Sequence, residues 1–173
     1  MNLATRCARV RLLCLDVDGI LSPGDITYSQ TSGVCATEQK SFYVRDGSGL
    51  KLWHLAGRAT AIVTGRSSPL VTVRATETGI RHVVQGCQDK AEALGGLLAE
   101  AGLEPAEACF VGDDVIDVGA MSRVVLAVAV ADACVEARLA AHHITRHPGG
   151  RGAVREVIEL IMRCQGIWSS GRA

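Results

Sequence analysis

The sequence predicts an α/β fold, a mostly parallel sheet with helices on both faces, and three observations lead there. Short apolar runs recur along the 173 residues. The stretches between most of them carry apolar residues at helical spacing. The runs themselves are continuously apolar rather than alternating, as in strands buried on both faces.

The first run spans 10–15, and others follow at 59–63, 82–84, 108–111 and 124–130, with a weaker one at 143–145. Asp46 is placed to cap a helix carrying Leu50, Leu52, Trp53 and Leu55 toward Gly57. Ser68-Pro69 opens a second helix, with proline in its first turn, and Gly79 closes it. Asp89 to Ala101 forms a third that ends at Gly102. Gly152 to Cys164 forms the last, with Val154, Val157, Ile158 and Ile161 on one face. The segment from Gly24 to Arg45 departs from this rhythm. Its strand-like residues (Ile26, Tyr28; Phe42, Tyr43, Val44) flank a polar turn at 30–33, which predicts a β-hairpin projecting from the sheet. Neither a repeat nor a low-complexity linker interrupts the chain, so 1–173 is expected to form one domain, a Rossmann-like three-layer sandwich.

Eighteen basic residues balance eighteen acidic ones. No long-range field therefore draws the protein to nucleic acid or an anionic membrane, and an anion must be held by local chemistry. The seven cysteines stand singly, without a C-x-x-C pair, which favours reduced thiols over a disulfide framework or a zinc site. The apolar run behind Arg6, Arg9 and Arg11 breaks at Asp16, too early for a signal peptide, and no stretch approaches membrane-spanning length. A cytoplasmic location is expected.

In open parallel sheets, ligands bind at the carboxyl ends of strands. Asp16 and Asp18 follow the first run, Thr64-Gly65-Arg66 the second, and Gly112-Asp113-Asp114 the fourth. One aspartate after a strand is as readily a turn or a cap. Four at two strand ends are not, because buried carboxylates are costly without a compensating charge. Their donors are hard oxygens with no His or Cys among them, which points to Mg2+ rather than zinc. Thr64-Gly65 offers a hydroxyl and an amide near a helix start, suited to an anion. Lys90 sits at a helix N-terminus, where the helix dipole disfavours a cation unless an anion faces it. The five histidines fit no ligand spacing, and Trp53 is expected in the core.

Taken in order, Asp16-Val17-Asp18-Gly19-Ile20, Ile62-Val63-Thr64-Gly65-Arg66, Lys90 and Gly112-Asp113-Asp114-Val115-Ile116-Asp117 resemble the four motifs of the haloacid dehalogenase superfamily of phosphatases. The resemblance implies Asp16 as nucleophile and Asp18 as general acid and base. Thr64, Gly65 and Lys90 would bind the phosphoryl group. Mg2+ would lie between Asp16, Asp113 and the backbone carbonyl of Asp18, with Asp114 and Asp117 supporting its waters or Lys90. Further pieces are Phe42-x-x-Arg45-Asp46-Gly47-x-Gly49, Gln85-Gly86, Val130-Ala131-Asp132-Ala133 and 149–156. They are similar to the branch without a cap domain that acts on 3-deoxy-D-manno-octulosonate 8-phosphate in lipopolysaccharide sugar synthesis. The expected reaction is hydrolysis to the free sugar acid, with Arg66 and Arg151 as candidates for the substrate carboxylate. The same resemblance implies a homotetramer in which the hairpin at 24–45 covers a neighbour's active site. Two readings remain open beside it: a phosphatase of sialic-type acid 9-phosphates, and a non-catalytic assembly domain of the same fold. The intact acidic motifs count against the second.

Overall fold

The computed structural model describes residues 1–30 and 36–168. Its frame is a sheet of six strands, with a separate hairpin of two. In chain order these are β1 (Leu12–Leu15), β2 (Thr27–Ser29), β3 (Thr37–Gln39), β4 (Ala59–Val63), β5 (His82–Val84), β6 (Ala108–Gly112), β7 (Leu126–Ala129) and β8 (His143–Ile144). The sheet runs β5-β4-β1-β6-β7-β8, with each neighbouring pair parallel. Every residue of β1, β6 and β7 is buried, as continuously apolar runs require.

Among the described residues, seven α-helices cover the two faces: α1 (Leu3–Arg9), α2 (Val44–Leu55), α3 (Pro69–Thr78), α4 (Lys90–Ala101), α5 (Val118–Met121), α6 (Val135–Ala140) and α7 (Ala153–Cys164). One group joins α1 and α2 to α7, with α3 against α2; the other joins α4, α5 and α6. The expected boundaries of α3 and α4 hold. Ser68 accepts the Leu70 amide and Asp89 those of Ala91 and Glu92, while Gly79 and Gly102 end the helices in left-handed conformation. The α7 face of Val154, Val157, Ile158 and Ile161 is fully buried, and so is Trp53, whose indole N–H donates to the Ala59 carbonyl at 2.7 Å.

Two expectations need correction. Asp46 does not cap its own helix, which begins two residues earlier behind an extended Tyr43 with no side-chain cap. It is buried inside α2, and its carboxylate accepts the amides of Gly152 (3.1 Å) and Arg155 (2.8 Å), so it caps α7 instead. The carboxylate was needed because the N-cap of α7 is Gly152, which has no side chain to offer. The second strand of the hairpin is Thr37–Gln39 and not 42–44: Val44 opens α2, and Phe42 lies beneath the Arg74 guanidinium, 5.3 Å from ring centroid to Cζ. The turn predicted at 30–33 lies, apart from Gln30, outside the described residues, as does Cys35. The other six cysteines are free thiols. Among the described residues no helix is long and apolar enough to cross a membrane.

Candidate active site

The sheet order places β1 between β4 and β6, so the turns leaving these three strands converge at one edge. Asp16 follows β1 directly. Its amide donates to the Val111 carbonyl at 3.2 Å, which fixes the first carboxylate on the strand ladder, and the residue is only 5% exposed. Asp113 follows β6. Gly19, at φ 83°, lets the turn after Asp18 pass close to it, since a Cβ there would overlap the Asp113 carboxylate.

Lys90, the first residue of α4, is also buried. Its ammonium lies 2.8 Å from Asp16 Oδ2 and 2.6 Å from Asp117 Oδ1. The other oxygen of the fully buried Asp117 accepts the amides of Asp113 (2.9 Å) and Asp114 (3.1 Å). Asp117 is thereby spent on holding Lys90 and the β6 turn. Asp114 is exposed, and its carboxylate accepts the Val115 amide at 2.7 Å.

Asp16, Asp113 and Asp117 each bring a carboxylate oxygen within 4.8 Å of the others. Among the described residues, Asp16 Oδ1 and Asp113 Oδ1 are buried without a hydrogen-bond partner. Burial pushes the Asp16 carboxyl up to about 6, with Lys90 opposing the rise and Asp117 adding to it. Burial, then the charges of Asp117 and Asp16, take Asp113 up to about 7. Burial draws the Lys90 ammonium down, but pairing with Asp16 and Asp117 outweighs it and leaves the group raised. Two crowded anions with vacant oxygens and one captive cation form an arrangement that a further cation would complete.

Asp18 stands apart from that trio. Its carboxylate bonds the Lys40 ammonium and the Ser22 hydroxyl (3.1 Å), and lies 3.6 Å from Arg66 Nε. Arg66 Nη2 also donates to Glu38 at 2.8 Å, and Ser68 Oγ donates to the other Glu38 oxygen at 2.6 Å. The base of the hairpin thus reaches its own chain's site through Glu38 and Lys40. Reading the hairpin by its apolar residues passes over both; the only available signal is a polar Glu38-Gln39-Lys40 triplet at the strand end.

A cleft of about 460 Å3 gathers Asp16, Asp18, Thr64, Gly65, Arg66, Lys90, Asp113 and Asp114, with Asp117 buried beneath. Asp25 and Asp132, given no role by sequence reasoning, also line it. Arg151 does not; it lines a separate pocket.

Residues 59–158 match the haloacid dehalogenase-like hydrolases. The chain belongs to that family. This haloacid dehalogenase-like hydrolase is 44% identical over 160 residues to the 3-deoxy-D-manno-octulosonate 8-phosphate phosphatase of Yersinia pestis, covering 92% of this chain and 83% of the relative. The crystal structure of the Moraxella catarrhalis 3-deoxy-D-manno-octulosonate 8-phosphate phosphatase, with magnesium, phosphate and the sugar acid, superposes with a TM-score of 0.89 at 42% identity, over 94% of this chain and 91% of that one. The cobalt-bound phosphatase of Haemophilus influenzae superposes with a TM-score of 0.86 at 32% identity, over 93% and 92% of the two chains.

Proposed function

We propose that the chain is a Mg2+-dependent phosphomonoesterase that hydrolyses 3-deoxy-D-manno-octulosonate 8-phosphate to the sugar acid and phosphate through an aspartyl-phosphate on Asp16. The observation that carries this is the pair of buried, unpartnered oxygens on Asp16 and Asp113 beside an ion-paired Lys90. The relatives' activity, and the ligands of the Moraxella protein, supply the substrate class.

The donor set fits Mg2+: hard oxygens from Asp16 and Asp113, with the Asp18 backbone carbonyl as a third. When bound, Mg2+ supplies positive charge that lets a carboxylate approach an anionic phosphate. The protein's own groups do the rest. Lys90, held by Asp117, neutralises phosphoryl charge together with the Thr64 hydroxyl and the Gly65 amide. Asp16 attacks phosphorus in line with the departing sugar oxygen, and Asp18 protonates that oxygen. Asp18 then takes a proton from water, whose oxygen displaces Asp16 from phosphorus and restores the carboxylate. Asp114 borders the cleft and orients metal waters. Arg66, at the mouth, presents its fork to the sugar carboxylate.

The unit is residues 1–173, acting in the cytoplasm as a homotetramer whose hairpins cover neighbouring clefts. The open cleft and the exposed Ile26 and Tyr28 on the hairpin favour that assembly.

The test is phosphate release from the 8-phosphate, with a sialic-type 9-phosphate as comparison. Asp16→Asn should lower turnover roughly a thousandfold or more while the protein stays folded. Near-normal activity in the folded variant would overturn the covalent route, and preference for the 9-phosphate would reassign the substrate.

A further inference from the structure

A second pocket, of about 490 Å3, opens between the start of α2, the loop leading into α7 and α7 itself. Tyr43 and Leu160 give it an apolar wall, and none of its lining residues belongs to the cleft of Asp16. Its charge is lopsided, with five arginines against two glutamates. Both glutamates are committed. Glu156 holds Arg146 (3.2 Å) and His147 (2.6 Å), and Glu159 holds Arg155 (2.7 Å) and Arg163 (3.1 Å). Among the described residues, Arg45 and Arg151 have no carboxylate within ion-pair distance.

The N-terminal amides of α7 add little to this excess, because Asp46 already occupies those of Gly152 and Arg155. Positive charge is therefore concentrated on guanidinium forks around a concave surface, in the size range of small-molecule sites. The backbone under Arg151 is also fixed. The Gly150 amide donates to the Ile20 carbonyl at 2.8 Å, and the Gly149 amide donates to Asp132 at 2.9 Å. A Cβ on Gly149 would run into the Gly19 carbonyl, so the loop sits hard against its neighbour. An arginine on such a loop loses little backbone freedom when a ligand arrives.

We propose that this pocket is a second ligand site, distinct from the cleft of Asp16, for a small polyanion carrying two phosphate or carboxylate groups. Arg45 and Arg151 are its principal contacts, and Tyr43 and Leu160 wall the body of the ligand.

Protein stripped of metal by chelation, then of chelator by gel filtration, is titrated calorimetrically with pyrophosphate and, separately, with citrate. Without a divalent cation the cleft presents six carboxylates (Asp16, Asp18, Asp25, Asp113, Asp114 and Asp132) against Arg66, Lys90 and the Lys40 paired with Asp18, and repels anions. Binding then reports the arginine pocket. One site per chain is expected, tighter than about 1 mM at low salt and weakening as salt rises. Arg45→Gln and Arg151→Gln should each weaken it roughly tenfold with thermal unfolding unchanged, since both side chains are exposed. Lys90→Gln should leave it as it was. Binding of pyrophosphate alone assigns the site to phosphates, and of citrate alone to carboxylates. No binding of either, binding that survives both arginine changes, or binding lost with Lys90→Gln would each overturn the proposal.

Discussion

Asp117 takes no part in the proposed bond-making, yet removing it should be among the most damaging changes to the metal-free protein. Asp117→Ala deletes the carboxylate that holds Lys90 at 2.6 Å and two backbone amides at 2.9 and 3.1 Å, at a position with no exposure. Breaking a buried ion pair from one side costs about 3–5 kcal/mol. Part of that returns when Asp16 and Asp113 are ionised, because the Asp117 charge repels both. The balance therefore depends on pH. Loss of Asp117 also lowers the Asp16 carboxyl, so only toward pH 4 is Asp16 largely protonated; there Lys90 is left without an ionised partner and the full loss of about 3–5 kcal/mol is expected. At pH 8 Asp16 keeps Lys90 and the repulsion is relieved, so roughly half of that is expected. Urea unfolding of chelated protein at the two pH values measures both. For a chain of this length the larger loss lowers Tm by about 10 °C. A loss below about 1 kcal/mol at pH 4, or a larger loss at pH 8, would refute the role given to Asp117.

In the parent protein Asp16 is raised from 3.8 to about 6. The folded state therefore binds a proton the unfolded state releases, and metal-free stability should fall as pH rises from about 4 to about 6, by about 3 kcal/mol. Saturating Mg2+ should flatten that slope in a thermal-shift series, and an unchanged slope would count against Asp16 as a ligand. Asp46→Ala, by uncapping α7 from inside α2, should cost about 2 kcal/mol in urea unfolding, whereas a cap serving only α2 would predict no change in contacts to α7. Replacing residues 26–39 by a short Gly/Ser linker should yield smaller species in light scattering and a large loss of activity on the sugar phosphate. A parent protein already monomeric and fully active would end the covering role of the hairpin.

The strands and the cleft were legible for the same reason. Buried strands are apolar throughout, so the polar residues that interrupt them, Asp16, Thr64 and Asp113, stand out at the carboxyl ends. Asp46 misled because Asp before a helical run looks the same whether it caps that helix or one more than 100 residues away. Only the packing of α2 on α7 decides between them. The Glu38-Gln39-Lys40 triplet was a weak signal because a charged residue in an exposed hairpin ordinarily faces water, and the convergence of Glu38 and Lys40 on Arg66 and Asp18 depends on how the hairpin folds back. The open oxygens of Asp16 and Asp113 could be suspected from composition, but not the commitment of Asp117 to Lys90.

Asp16 and Asp113 extend adjacent strands whose last paired residues, Leu15 and Val111, stand opposite each other in parallel register. Their separation is consequently tied to the backbone ladder, and a slip of one residue would move one carboxylate about 3.3 Å along the strands relative to the other. The proposed chemistry is thus anchored in the least adaptable part of the molecule. Groups at the margin of the cleft, such as Arg66, Asp25 and, through Asp18, Lys40, sit on turns and the hairpin, where insertions and substitutions are tolerated. Substrate preference can therefore diverge among related chains by rewriting these margins, while the distance between the two carboxylates is inherited unchanged.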